Sequence, residues 1–164
     1  MDQDAFRDFY SATARPLWAY IQSVVGISAV TDDLLQDSYL RPLTANLSPS
    51  MSPAHRRHYL FRVASHLIAD YYRSRHRREV PIDEQAPKTE SSDSAATKDL
   101  AERALKMVLP RDRQLVWLAY VEGASHKEIA ATMGYKVASV APLLSKASRR
   151  MMGVVRKLLQ GGSK

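Results

Sequence analysis

Arg73, Arg75, Arg77 and Arg78 fall within one short run, and Arg56, Arg57 and Arg62 precede them. Guanidinium groups at that density suit the neutralisation of phosphates, whereas a solubilising helix end is the bland alternative. Lys136, Lys146, Arg149 and Arg150 form a second basic group near the other end of the chain. Residues 41–80 hold eight basic side chains against two acidic, and residues 101–164 hold twelve against four. Between them, residues 81–99 hold five acidic against two basic. Two basic blocks separated by an acidic spacer are footprints for a polyanion, with nucleic acid the default.

Other chemistries find little support. His55 and His58 share a helical face at i, i+3, a spacing that can hold a metal, but no third ligand stands nearby and the local arginines would repel a cation. With no cysteine among 164 residues, disulfides, thiolate catalysis and the usual structural zinc are excluded. No phosphate-binding loop, G-x-S-x-G or H-E-x-x-H pattern occurs, so neither an enzyme nor a cofactor is expected. The N-terminal MDQDAFRDFY is not a signal peptide, and no apolar stretch approaches a membrane span; a soluble cytoplasmic chain without membrane insertion is expected.

The elements that must position these residues are helices, because apolar side chains recur every three or four residues and no alternating β-branched run is present. PIDEQAPKTESSDSAATKD, residues 81–99, lacks large apolar side chains and reads as a flexible linker between a unit over 1–80 and a unit over 100–164. In the first unit, Phe6 to Val24 predict one or two helices, with Pro16 tolerable in a first turn or at a break. Thr31 is expected to cap the next helix, TDDLLQDSYLRPL, and Pro42 to end it. After a proline-containing loop over 44–54, HRRHYLFRVASHLIADYYRSRHRR places Leu60, Val63, Ala64, Leu67, Ile68 and Tyr71 on one stripe. Arg62, Ser65, His66, Ala69 and Arg73 fall opposite. Tyr59 and Phe61 face either the core or a ligand, and Asp70 with Arg73 is either a structural or a functional pair.

In the second unit, helices are predicted to close at Pro110 and at Gly123. Ser125-His126-Lys127-Glu128 has the spacing of a capping box, Gly134 suits a left-handed helix end, and a long basic helix follows to about Leu159. Helix, short capped helix, glycine turn and basic helix make a helix-turn-helix. Pro142 fits the last helix at low cost if Ser139 is its N-cap; a start near Lys136 would bury the proline in the helix interior at a cost of about 3 kcal/mol. The first arrangement is the one expected.

TDDLLQDSYLR, YLFRVASHLIADYYRSRHRR and LPRDRQLVWLAYVEGASHKEIAATMG resemble, in order and spacing, three segments of the sigma-70 family of RNA polymerase initiation factors in its extracytoplasmic-function (ECF) form. The resemblance implies an all-α fold: a sigma-2 helical bundle and a sigma-4 helix-turn-helix joined by a linker. It also implies binding to core RNA polymerase through Asp32, Asp33, Gln36, Asp37 and Arg41, and contact with promoter DNA from the sigma-2-like part through Arg56, Arg57, Tyr59, Arg62, His66, Arg73, Arg75, Arg77 and Arg78. From the sigma-4-like part, Ser125, Lys136, Ser139, Leu143, Lys146, Arg149 and Arg150 would reach DNA, Leu143 through a thymine methyl or a protein. An anti-sigma factor is implied as a further partner.

Two departures alter what the resemblance carries. Ser65-His66 stands where relatives often have Arg-Asn, so base preference does not transfer. After the glycine turn the family pattern runs roughly S-x-G-T-V-K-S-R, and here Ala141, Pro142 and Leu143 occupy the K-S-R positions. Promoter-directed initiation with altered or weak readout by the last helix is the expectation. A sigma-like decoy or adaptor that engages polymerase or an anti-sigma factor without selecting promoters is the alternative.

Overall fold

Asp2 caps the first helix: in an extended conformation, its carboxylate accepts the Ala5 amide at 2.7 Å. The computed structural model describes residues 2–44, 51–77 and 95–161. These form α1 (Gln3–Val25), α2 (Ser28–Thr44), α3 (Pro53–Arg77), α4 (Ala95–Lys106), α5 (Pro110–Tyr120), α6 (His126–Met133) and α7 (Val137–Gly161), with no strand among them. The chain divides into two compact units, residues 1–86 together with 131–134, and residues 87–130 together with 135–164. α1–α3 and the end of α6 fall in the first, and α4, α5, the start of α6 and α7 in the second. Most of the stretch read as a linker lies outside the described residues, although α4 begins within it, at Ala95.

In the first unit all three helices pack on one another. Leu17, Tyr20, Ile21 and Val24 of α1 meet Leu60, Ala64 and Ile68 of α3, all fully buried, with Leu34 and Tyr39 of α2 beside them. A large apolar side chain taken wholly from water contributes about 1.5–3 kcal/mol. That scale explains Pro16, which lies inside a continuous α1 rather than at a break. The carbonyl that the missing N–H leaves free belongs to Ala12, which is exposed and can be solvated, while the next turn buries Leu17 and Tyr20.

Three further expectations are corrected. Thr31 does not cap α2: the helix starts a turn earlier, and the fully buried Thr31 hydroxyl donates to Gln22 Oε1 at 2.6 Å. Pro42 does not end α2 either: the helix runs on to Thr44, forgoing the one bond that a residue-42 N–H would have made to Ser38 O. Ser65, assigned to the exposed side of α3, is buried; its hydroxyl donates to Phe61 O and accepts the Tyr20 hydroxyl, both at 2.7 Å. A serine can spend its polarity on the carbonyl one turn back, so its position on a helix is weakly dictated by type. Tyr39 is similarly built in, bonded to Thr13 at 2.6 Å, and burial raises its phenol above the ordinary value against a smaller opposing pull from Thr13.

In the second unit α7 packs on α4 and α5, and Leu115, Ile129, Val140 and Ala147 are fully buried. The first helix ends at Lys106, ahead of Pro110, which instead opens α5 at its first position. Arg113 secures the bend, donating from Nε to Val108 O at 2.8 Å and from NH2 to Lys106 O at 2.9 Å. Ser125 caps α6 by accepting the Glu128 amide at 3.1 Å. At the other end Gly134 has φ +75° and Tyr135 N–H bonds Ala130 O at 2.9 Å, closing a Schellman turn.

Ser139 is not the N-cap of α7. The helix starts at Val137, and Pro142 stands inside it. Val140 and Ala147 hold the opposite face in the core, while Pro142 and Ala138, whose carbonyl loses its partner, are exposed. Burial on one side therefore outweighs a missing hydrogen bond that water can replace on the other.

Candidate nucleic-acid interface

Along α3, the periodicity that sinks Leu60, Ala64 and Ile68 brings His55, His58, Arg62, His66 and Arg73 to one exposed ridge. Ser52 anchors the front of this helix, accepting the His55 amide at 3.2 Å, and Pro53 occupies the first helical position. Tyr59, Arg56 and Arg57 are half-buried, and the Arg57 guanidinium lies 5.0 Å over the buried Phe61 ring. Phe61 is thus a core residue. Arg75 donates to the Tyr71 hydroxyl at 2.6 Å and also lies over its ring. Arg73 pairs with Asp70 on an open surface, an arrangement worth about 0.5 kcal/mol. The side chains of Arg77 and Arg78 lie outside the description.

α2 turns a different chemistry outward. Thr31, Leu34, Ser38 and Tyr39 are buried, and the opposite arc carries Asp32, Asp33, Gln36, Asp37, Leu40 and Arg41, all exposed. Trp18 of α1 donates its indole N–H to Asp32 at 2.9 Å and fixes that carboxylate. Asp33 and Asp37 make no hydrogen bond or ion pair with another described residue. Four apart on one face, they repel one another modestly, and a basic partner would relieve this.

The second unit presents the front of α7. Val137, Ala138, Ala141, Pro142, Ser145, Lys146 and Arg149 are exposed at i, i+1, i+4, i+5, i+8, i+9 and i+12, one continuous stripe, with Lys136 exposed just ahead of it. Ser139 and Leu143 are half-buried, Ser139 at the edge of the stripe beside Lys146 and Leu143 beyond it. Ser125 is exposed as the cap of α6. Arg150 is engaged elsewhere: its guanidinium donates at 2.9 Å to Asp112, whose side chain is 3% exposed.

The segment over 98–151, which contains this helix-turn-helix, matches the Sigma-70, region 4 family. There are also similarities that cover most of this chain. An ECF RNA polymerase sigma factor, BldN of Streptomyces coelicolor, is 27% identical over 92% of this chain and 60% of its own length. A second, EcfG of Rhodopseudomonas palustris, is 28% identical over 93% of this chain and 86% of its own. Residues 98–151 thus carry a sigma-70 region 4, and the chain as a whole is similar to ECF sigma factors. The sigma factor RpoE of Bartonella quintana, solved with the anti-sigma factor NepR, has the same fold, with a TM-score of 0.74 and 20% identity over 93% of this chain and 97% of that one. The chain thus spans nearly the whole length of the solved RpoE but under two thirds of BldN.

Three residues at or behind the candidate surfaces, Trp18, Asp112 and Leu40, carry no role in the sequence expectations. Trp18 and Asp32 pair between helices, fourteen residues apart, with no local signal. Asp112 is an acid in the first turn of α5, where it complements the helix dipole, a hint that it differs from the arginines beside it. Leu40 sits exposed at the middle of the acidic arc, a position that helical periodicity alone would have given.

Proposed function

We propose that this chain is a dissociable specificity subunit of RNA polymerase. The exposed arc of α2 docks on a basic surface of the core enzyme, the α3 ridge holds the melted upstream promoter element, and α7 contacts duplex DNA farther upstream. In this reading residues 1–80 form the sigma-2-like unit, 81–99 the linker and 100–164 the sigma-4-like unit, and the protein works in the cytoplasm without catalysis of its own. The observation that carries the proposal is the acidic arc, whose Asp33 and Asp37 are exposed with no partner among the described residues while a basic ridge lies on the neighbouring helix. An anti-sigma factor is a fitting further partner, because the RpoE relative was solved with one.

The apolar front of α7 favours one second reading, a decoy that binds polymerase or an anti-sigma factor and selects no promoter. Run-off transcription separates the two. Core polymerase is supplied with a genomic template library, with and without the full chain. Discrete start sites that need the chain are the expected result; a chain that joins the enzyme yet yields no new start site is a decoy.

A further inference from the structure

The exposed stripe of α7 limits what its front can recognise. Reading guanine or adenine through the major groove takes a guanidinium, ammonium or amide, and reading cytosine takes a carboxylate. Val137, Ala138, Ala141 and Pro142 supply none of these, and Ser145 adds one hydroxyl. What they supply is hydrocarbon, with Val137 53% exposed. Only thymine presents an apolar group in the groove, its C5-methyl. Lys136 at one end of the stripe and Lys146 with Arg149 at the other are exposed cations, suited to the phosphates that flank a groove. Arg150 is tied to Asp112, and Leu143 is half-buried off the stripe.

We infer that the front of α7 selects thymine by its methyl group, through Val137, Ala138, Ala141 and Pro142, with Lys136, Lys146 and Arg149 holding the backbone on either side. This specificity rests on the reading of the chain as a promoter-binding protein. Cationic ends make duplex DNA the occupant that the charge pattern favours over an apolar protein surface. Each methyl covered is worth about a fourfold preference, from the transfer of one buried carbon.

The test uses the full chain, alone and with core polymerase, to select duplexes from a randomised library. Enriched duplexes are then remade with deoxyuridine replacing thymidine one position at a time, which removes the methyl and leaves base pairing intact. A block of thymines whose replacement lowers retention by about fourfold per position, in a manner lost with Val137→Ser, is the expected result. Enrichment without uracil sensitivity, or polymerase binding with no duplex enriched, would overturn the inference, the second pointing to a protein on the stripe. A methyl effect seen with the chain alone, in the absence of polymerase binding, would uphold it while removing the polymerase reading.

Discussion

Arg150→Ala is expected to destabilise the α4–α7 unit by about 3 kcal/mol, at the low end of the range for stripping a buried charge of its partner. The partner left behind is Asp112, whose carboxylate is almost fully buried, whereas the arginine itself is half exposed and loses little by its own removal. The N-terminal dipole of α5 compensates Asp112 only in part. In a unit of this size the change lowers Tm by roughly 15 °C. The two tryptophans fall one in each unit, so fluorescence of Trp117 in a Trp18→Phe background follows this transition alone. Adding Asp112→Asn should recover a good part of the loss, because a neutral amide costs less to leave unpaired. Without that recovery, the 2.9 Å contact is not the source of the effect.

Pro142→Ala should act in the opposite direction. Proline in a helix interior costs about 3 kcal/mol relative to alanine, whereas its stiffening of the unfolded chain returns about 0.4–1 kcal/mol, so replacement gains roughly 2 kcal/mol. Both Pro142 and Ala138 are exposed, so the restored bond forms without repacking. The same fluorescence assay should report a higher Tm, by roughly 10 °C. A fall would mean that the proline ring makes contacts the exposed position does not suggest. Alanine also keeps the stripe apolar, so thymine selection should survive the change.

These proline positions mark the limit of what could be read from sequence. Local rules assign Pro16 and Pro142 a cost but not what outweighs it, namely Leu17 and Tyr20 on one helix and Val140 and Ala147 on the other, buried by partners distant in the chain. Local signals held around α6 and along α3, and failed at Thr31, Pro42, Pro110 and Ser139. Ser125 and Gly134 bound α6 with the bonds their types predict, and Leu60, Val63, Ala64 and Ile68 face the core as their spacing requires. Small polar residues defeated the pattern, since Thr31 and Ser65 were free to turn inward once Gln22 and Tyr20 offered partners. The candidate surfaces were legible as charge, but the diversion of Arg150 depended on an acid 38 residues away.

The most direct test of the central claim is titration of labelled chain onto core RNA polymerase, beside the double variant Asp33→Arg/Asp37→Arg. Both side chains are exposed and unpartnered among the described residues, so reversal should leave the fold intact, which circular dichroism checks. The account predicts saturable binding by the wild type and a loss of at least about a hundredfold in the variant, from two charge pairs each worth about tenfold or more. Equal affinity of the two chains, or no binding by a folded wild type, would contradict it.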